Sequence, residues 1–269
     1  MAAIKTLQQF IEEHDAINKT SNHLFFYRGH GEPITDILPI LFRKTSRKKE
    51  EHLFFKNAIK EHPNLFRDDK TTLEKLVRMQ HYGIPTRLLD ITQNPLVALY
   101  FACYDKNNKK NGEVVVFSKY SRQIKFYDSD AVSILSNLCK LAGKEKSFDT
   151  TLDEKKFNEQ RYIYKLLHAI KEEKPYFYNG IINPNDMKSC FFVYAKKNND
   201  RIKAQNGLFV IYGVNSSINK DIHQKLVIDK DYKKDILKQL EKINITKQTL
   251  FPELESTADY LKNKYGGVV

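Results

Sequence analysis

The chain lacks the features that mark several large classes of protein. It has three cysteines, at 103, 139 and 190. They lie far apart, in no spacing that suits zinc or a redox dithiol, which argues against a disulfide-stapled secreted scaffold and for a reducing compartment. No apolar run approaches the roughly 20 residues that a membrane span requires. The first residues, Met1-Ala2-Ala3-Ile4-Lys5-Thr6, contain no apolar region of signal-peptide type. The expectation is a soluble, cytoplasmic protein. No internal repeat or low-complexity linker divides the 269 residues, so a single α+β domain over residues 1–269 is expected. Paired Asp, Glu and His at metal-ligand spacing are missing too, which leaves a metal-dependent nuclease without its centre and predicts no metal. Acidic residues are in deficit: 33 Asp and Glu stand against 45 Lys and Arg, a net charge of +12. Such a surplus concentrates polyanions, whether nucleic acid, anionic lipid or a phosphate-rich cofactor. A Lys-rich soluble surface accounts for the same charge equally well.

Against these absences stands one dense stretch, residues 80–103. Its first half gathers His81, Tyr82, Thr86, Arg87, Asp90 and Thr92 around Gly83 and Pro85. Its second half runs into nine residues, 96–104, without a charge. Upstream, Thr71 and Glu74 form a capping box for a helix carrying Leu73, Leu76 and Val77. Gly83 suits the left-handed residue that ends a helix, and Pro85 prevents its continuation. A short strand or turn follows over 88–92. Asn94 then caps a second helix with Pro95 at its first position. That helix is apolar all round and should be buried on most sides. A polar turn fixed between two core elements is rigid, as binding sites require.

The rest of the chain reads as alternating short elements. Thr6 and Gln9 box a first helix with Leu7, Phe10 and Ile11 on one face. A strand over 24–28 ends at Gly29-His30-Gly31, which leaves Arg28 beside a glycine turn where backbone can approach a phosphate. An Arg paired with a core carboxylate is the competing reading. Residues 46–61 form a helix with Leu53, Phe54 and Ile59 partly buried. Its basic start (Arg43, Lys44, Arg47, Lys48, Lys49) is either a solvated face or a phosphate contact. A polar turn over 106–112 leads to a strand over 113–118. Residues 119–180 form a mainly helical insert. There Asp130 caps a helix with Val132, Leu135, Leu138 and Leu141, and Gly143 lies beyond it. A second helix over 157–171 spaces Tyr162, Leu166 and Ile170 by four. Tyr162, Tyr164, Tyr176, Phe177 and Tyr178 are either core or a base-stacking surface. Strands over 191–195 and 208–213 follow, with an amphipathic helix over 232–243 (Ile236, Leu237 and Leu240 inward). A last strand over 245–250 and a last helix over 254–265 complete the reading.

The central stretch, from Gln80 to Pro95 and on through Ala98-Leu99-Tyr100-Phe101-Ala102, resembles the FRG domain. Three further pieces match at that family's spacing: Phe26-Tyr27-Arg28-Gly29 with Leu38-Pro39 and Arg43; Arg201-Ile202 with Ala204-Gln205-Asn206-Gly207-Leu208-Phe209; and Leu250-Phe251-Pro252-Glu253-Leu254. FRG domains in turn resemble ADP-ribosyltransferases. In those enzymes an Arg on the first core strand holds the dinucleotide, and a Ser-Thr-Ser strand enters a helix as Asp90-Ile91-Thr92 does here. The resemblance implies a split β core with flanking helices and the helical insertion over about 119–180. It implies NAD as the substrate that donates the transferred group, and a toxin or anti-phage effector in a bacterial defence system.

The resemblance assigns Arg28 to the dinucleotide phosphates, where charge-assisted bonds are strongest, with Tyr27 and Gly29 beside it. It gives His81 and Tyr82 to the ring and ribose, and puts Thr92 where the family's middle hydroxyl stands. Arg87 either holds a phosphate or pairs with Asp90 to fix the turn. The enzymes carry a Glu on a late core strand, and here the matching element offers Gln205. Either Asp90 or Glu253 then supplies the carboxylate, or the acceptor needs no strong base. The charge favours nucleic acid as acceptor, RNA foremost, and an acidic antitoxin protein as a covering partner. A protein acceptor, an NAD glycohydrolase and a non-enzymatic RNA-binding module are the alternatives.

Overall fold

The computed structural model describes residues 3–17, 22–104, 109–177 and 180–253. Seven strands form one sheet: β1 (His23–His30), β2 (Leu88–Thr92), β3 (Gly112–Tyr120), β4 (Lys125–Phe126), β5 (Cys190–Tyr194), β6 (Gly207–Tyr212) and β7 (Ile222–Ile228). Their order is β4-β5-β6-β2-β1-β3-β7, antiparallel throughout except between β4 and β5. The helices before β3 are α1 (Leu7–Asp15), α2 (Thr45–Lys49), α3 (Glu51–Glu61), α4 (Thr72–His81) and α5 (Pro95–Cys103). Those after β4 are α6 (Asp130–Asn137), α7 (Glu154–Asn158), α8 (Arg161–Lys171), α9 (Pro184–Met187), α10 (Asp200–Ala204), α11 (Lys233–Lys242) and α12 (Lys247–Leu250). The fold is thus mixed α+β. Among the described residues no helix is long and apolar enough to cross a membrane.

The sheet is least continuous at its middle. β1 and β3 stay paired from His23↔Tyr120 to His30↔Glu113, and β2 and β6 pair along the whole of β2. β1 and β2 share a single register pair, Tyr27↔Thr92. Side chains alternate across a strand, so each half of the sheet has its own cover on one face. Tyr27, Val114 and Val116 pack with Phe10 of α1, Val97 and Ala98 of α5 and Ile236 of α11. Leu88, Phe209 and Ile211 pack with Leu76 of α4, Val132 of α6 and Leu166 of α8. The other face, with Phe26, Leu89, Ile91, Phe117, Phe192 and Tyr212, forms a single cluster. The helices expected as an insertion therefore share one core with α3 and α4.

The elements around the parting form for the local reasons the sequence suggests. Thr71 Oγ1 accepts the Glu74 amide at 3.3 Å and Glu74 Oε2 accepts the Thr71 amide at 2.9 Å, which caps α4. Gly83 takes φ +76° and ends it, with the Ile84 amide bonded back to the Met79 carbonyl at 3.0 Å. Asn94 Oδ1 accepts the Leu96 amide at 3.0 Å, Pro95 opens α5, and Val97, Ala98, Leu99, Tyr100, Ala102 and Cys103 are buried. β1 runs further than its sequence suggests. Gly29 and His30 stay in the strand, opposite Val114 and Glu113, and form no turn after Arg28. A Cβ on Gly29 would lie 1.8 Å from the Ala98 carbonyl oxygen. That glycine makes room for the backbone of α5.

Other expectations are revised. The helix over 46–61 breaks at Glu50 into α2 and α3; Phe55 and Ala58 face inward, while Leu53 is exposed. Ile11 of α1 is exposed too. Ser129, not Asp130, precedes α6. The helix over 157–171 is two, α7 and α8, with Ile163, Leu166 and Ile170 buried. Residues 245–250 form a turn and α12 in place of a strand, because Thr246 Oγ1 accepts the Thr249 amide at 3.1 Å and nucleates a helical turn. An edge strand with no counterpart in the sequence reading, β7, pairs with β3. The expected last helix over 254–265, Tyr178 and residues 106–108 of the polar turn lie outside the described residues. All three cysteines are buried and free.

Candidate functional site

A cleft of about 210 Å3 opens where β1 and β2 part. Tyr27, Arg28 and Gly29 line it from β1, Asp90, Ile91 and Thr92 from β2, Val97 and Phe101 from α5, and Arg201 and Gln205 from α10 and its cap. A recess of about 30 Å3 adjoins it, lined by Val77, Gln80 and His81 of α4 and sharing Asp90, Ile91, Arg201 and Gln205. The fold thus gathers Tyr27, Arg28, Gly29, Asp90, Thr92 and Gln205 around one opening, with His81 next door.

Arg28 spans the parting. Its Nη1 donates to the main-chain carbonyl of Asp90, and its Nε is buried with no hydrogen-bond partner. Burial lowers the Arg28 pKa, Asp90 opposes that shift and Arg43 adds to it. An Arg so placed keeps its charge. It would gain most from an anion able to reach the idle Nε. The Asp90 carboxylate is exposed and is positioned from behind: Oδ2 accepts Gln80 Nε2 at 2.8 Å, and Gln80 Oε1 accepts Thr86 Oγ1 at 2.6 Å. Thr86 Oγ1 also accepts the Leu88 amide at 3.1 Å, which ties this chain to the start of β2.

The hydroxyls are more committed than the sequence implies. Thr92 Oγ1 donates to the Gln205 carbonyl at 2.6 Å and accepts the Asn94 amide at 2.9 Å. It pins β2 to the end of α10. Gln205 lies at that helix cap, before β6, and its Nε2 donates to the Leu250 carbonyl at 3.0 Å. Tyr27 bonds its hydroxyl to His14 Nε2 at 2.8 Å, and burial pushes the phenol up to about 12. His81 Nδ1 lies 3.6 Å from Glu253 Oε1. Tyr82 is 56% exposed and meets His81 edge-on at 5.0 Å, outside the lining of both cavities.

Arg87 is elsewhere. It is 2% exposed; Nε and Nη2 donate to Glu51 Oε1 and Oε2 at 2.7 and 2.6 Å, and Nη1 donates to the Tyr212 carbonyl at 2.7 Å. Lys146 bonds the same carboxylate. Burial alone would raise the Glu51 pKa, but Arg87 and Lys146 outweigh it and hold the carboxyl below its ordinary value. Arg87 therefore neither contacts the cleft nor pairs with Asp90; it locks α3 to the turn before β2. In the basic stretch, Arg43 Nε donates to the Leu38 carbonyl at 3.3 Å and Lys48 Nζ to Asn215 Oδ1 at 2.7 Å, and neither residue lines the cleft.

Two side chains beyond the expected set belong to the site. Arg201 lines both cavities, and its guanidinium lies 4.6 Å over the Phe251 ring. Phe251 in turn meets Phe101 edge-on at 5.8 Å. Arg201 stands within the Arg201-Ile202 motif, but only the packing of α10 against the cleft gives it a place there. Gln80 is the other, legible only once the turn folds it back onto Asp90. The expected aromatic group disperses: Phe177 is buried, Tyr162 lies under Arg161 at 5.6 Å, and Tyr164 and Tyr176 are exposed. Among the described residues no group of His, Cys, Asp and Glu is placed to hold a metal ion.

Comparison with known proteins bears on the first half of this site. Residues 23–111 match the family model described as FRG domain. Neither the curated proteins nor the solved structures yield a match. The matched segment supplies Arg28, Gln80, Asp90, Thr92 and Phe101, while Arg201 and Gln205 lie beyond it. On that match the chain carries an FRG domain.

Proposed function

We propose that the cleft binds NAD and transfers its ADP-ribosyl group to nucleic acid, RNA foremost, as the effector of a bacterial toxin–antitoxin or anti-phage system. The observation that carries this reading is Arg28, a cation with an idle buried Nε on the wall of a cleft between parted strands. Arg28 would take a phosphate by charge-assisted bonds, and Arg201 is a second cation on the same cleft. Val97 and Phe101 offer an apolar bed to a flat ring. The single register pair between β1 and β2 supports the expectation of a split core of ADP-ribosyltransferase type.

In the transfer, the bond from ribose C1′ to the nicotinamide nitrogen breaks and its electron pair leaves with neutral nicotinamide. The oxocarbenium-like C1′ then bonds an oxygen or exocyclic nitrogen of the acceptor, whose proton passes to the Asp90 carboxylate or to water. Asp90 is the carboxylate on the cleft, held by Gln80; Gln205 and Thr92 shape the wall by their main-chain and hydroxyl bonds. An acidic antitoxin would cover the basic surface. The test is incubation of the protein with NAD labelled in the adenylate, together with purified RNA, DNA or protein. Label on RNA with release of free nicotinamide is expected. Label on protein alone would move the acceptor to protein, nicotinamide without a labelled acceptor would make the activity a glycohydrolase, and unconsumed NAD would refute the enzyme.

A further inference from the structure

We infer that the pocket between α2 and the turn after β6 is a second ligand site, shaped for a small organic anion with an apolar body. The inference does not rest on the NAD reading. The pocket has a volume of about 230 Å3 and is lined by Leu38, Phe42, Lys48, Gly213, Asn215 and Ser216. None of these residues lines the cleft. One water needs only about 10–15 Å3 of such space, so an organic molecule fits.

The lining is divided in character. Leu38 and Phe42, which pack against the cluster of Phe26, Leu89 and Tyr212, give it an apolar wall. Lys48, Asn215 and Ser216 give it a polar one. Lys48 Nζ lies 5.5 Å over the Phe42 ring and donates to Asn215 Oδ1 at 2.7 Å. An ammonium has three donors, so the others are left for a ligand. Asn215 Oδ1 is taken by Lys48, and among the described residues Asn215 Nδ2 donates to nothing. Ser216 Oγ is bonded to the Gly213 carbonyl at 3.3 Å, long for a hydroxyl and readily exchanged.

Lys48 also lacks a counter-charge. Among the described residues no carboxylate lies within salt-bridge distance of it. Glu51, on the next helix, has its oxygens engaged by Arg87 and Lys146. Burial and Arg87 hold the Lys48 pKa below its ordinary value, and Glu51 only opposes that shift. An ammonium so placed gains more from an incoming anion than a solvated surface lysine does. A cationic ligand would be repelled, and a neutral apolar one would leave the Lys48 donors without partners. The occupant is therefore an oxyanion, carboxylate or phosphate, carried on a compact apolar body.

The experiment is calorimetric titration of the full chain with phenyl phosphate and with benzoate, beside a thermal melt of every variant. The two probes distinguish a phosphate head from a carboxylate. At least one should bind one-to-one to protein whose cleft has lost its cations through Arg28→Ala and Arg201→Ala. It should also bind tighter than inorganic phosphate or acetate, which lack the apolar body. In that background Lys48→Met should weaken binding about ten- to a hundred-fold, the worth of a hydrogen bond to a charged group. Asn215→Gly keeps the left-handed backbone, φ +54°, and removes the amide. It should weaken binding about three- to ten-fold, the worth of a neutral hydrogen bond. Undiminished binding in a folded Lys48→Met protein, or binding that vanishes with Arg28 and Arg201, would overturn the site. A parent that takes up neither probe, or takes inorganic phosphate as tightly as phenyl phosphate, would overturn it as well. If Lys48→Met does not fold, undiminished affinity in Asn215→Gly overturns it equally.

Discussion

The guanidinium of Arg28 donates to the main-chain carbonyl of Asp90 across the gap where β1 and β2 have parted. A side chain thus replaces a ladder bond at the one junction of the sheet that keeps a single pair. Two consequences follow. Arg28 is oriented by backbone and keeps its charge for a ligand, and the Asp90 carboxylate is left to Gln80, facing solvent.

Arg28→Ala should therefore weaken nucleotide binding strongly while leaving a folded protein. The loss of a charge-assisted phosphate contact is worth about 1.5–3 kcal/mol of binding. Calorimetric titration with ADP-ribose beside a thermal melt separates the effects. Undiminished affinity in a folded variant would remove Arg28 from the site.

Asp90→Asn should lower turnover with little change in melting temperature, because the carboxylate is exposed and its partner Gln80 can bond an amide as readily. Gln80→Ala should do the same to a smaller degree by releasing Asp90 from its position. Rates for both variants, read beside their melts, check this. A stability loss equal to that of an Arg87 variant would show instead that Asp90 serves the fold.

What the sequence made legible around the cleft is local chemistry. The Thr71–Glu74 box, Gly83 before Pro85, and Asn94 before Pro95 each act within four residues, and each stands as expected. The role of Arg87 depends on Glu51, 36 residues away, and nothing near Arg87 marks that partner. Gly29 looked like a turn because a glycine that yields to a neighbouring helix is indistinguishable, in one dimension, from one that needs freedom of φ. Residues 245–250 have the β-branched content of a strand, but the Thr246 cap prevailed over it. β7 was missed because Gln224 and Lys225 interrupt its apolar alternation at a sheet edge.

The buried cluster should make Arg87→Ala costly by about 3–5 kcal/mol, since it leaves Glu51 facing only Lys146 in the interior. Replacing Glu51, Arg87 and Lys146 together by apolar residues of similar volume should recover much of that loss, whereas Glu51 and Arg87 replaced alone would leave Lys146 unpaired in the interior. Denaturant unfolding of the single, double and triple variants checks this. Additive losses would mean that the three charges are not coupled.

Acid should destabilise the protein in two separable windows. Burial pushes His30 down to about 3, and Arg28, Arg43 and Lys225 add to it. Its unfolded value is 6.5, so between 6.5 and about 3 the unfolded chain binds the proton and stability falls as pH falls. Glu51, whose carboxyl is held below its ordinary value of 4.5, adds a loss only below that pH. Melting temperature against pH should therefore slope from about pH 6.5, and His30→Gln should flatten the upper window alone. A flat profile down to pH 4.5 in the parent would contradict the buried neutral His30.

Arg201 is the second cation of the cleft, and its position depends on a ring. Its guanidinium stacks 4.6 Å over Phe251, and among the described residues no carboxylate pairs with it. Stacking holds the planar group by its face and leaves its N–H edge for an anion. With Arg28 on the β1 side, the cleft offers two cations, which matches a ligand with two linked phosphates better than one with a single phosphate. Arg201→Ala should then weaken ADP by about ten- to a hundred-fold, the worth of a hydrogen bond to a charged group. AMP should lose much less, which makes the ratio between the two the diagnostic. Arg201→Lys should recover part of the loss, because the charge returns without the planar fork. Phe251→Leu should fall between parent and Arg201→Ala, since the cation stays but loses its bed. Titrations of ADP and AMP against these variants decide it, and an unchanged ADP-to-AMP ratio in Arg201→Ala would assign the phosphates to Arg28 alone.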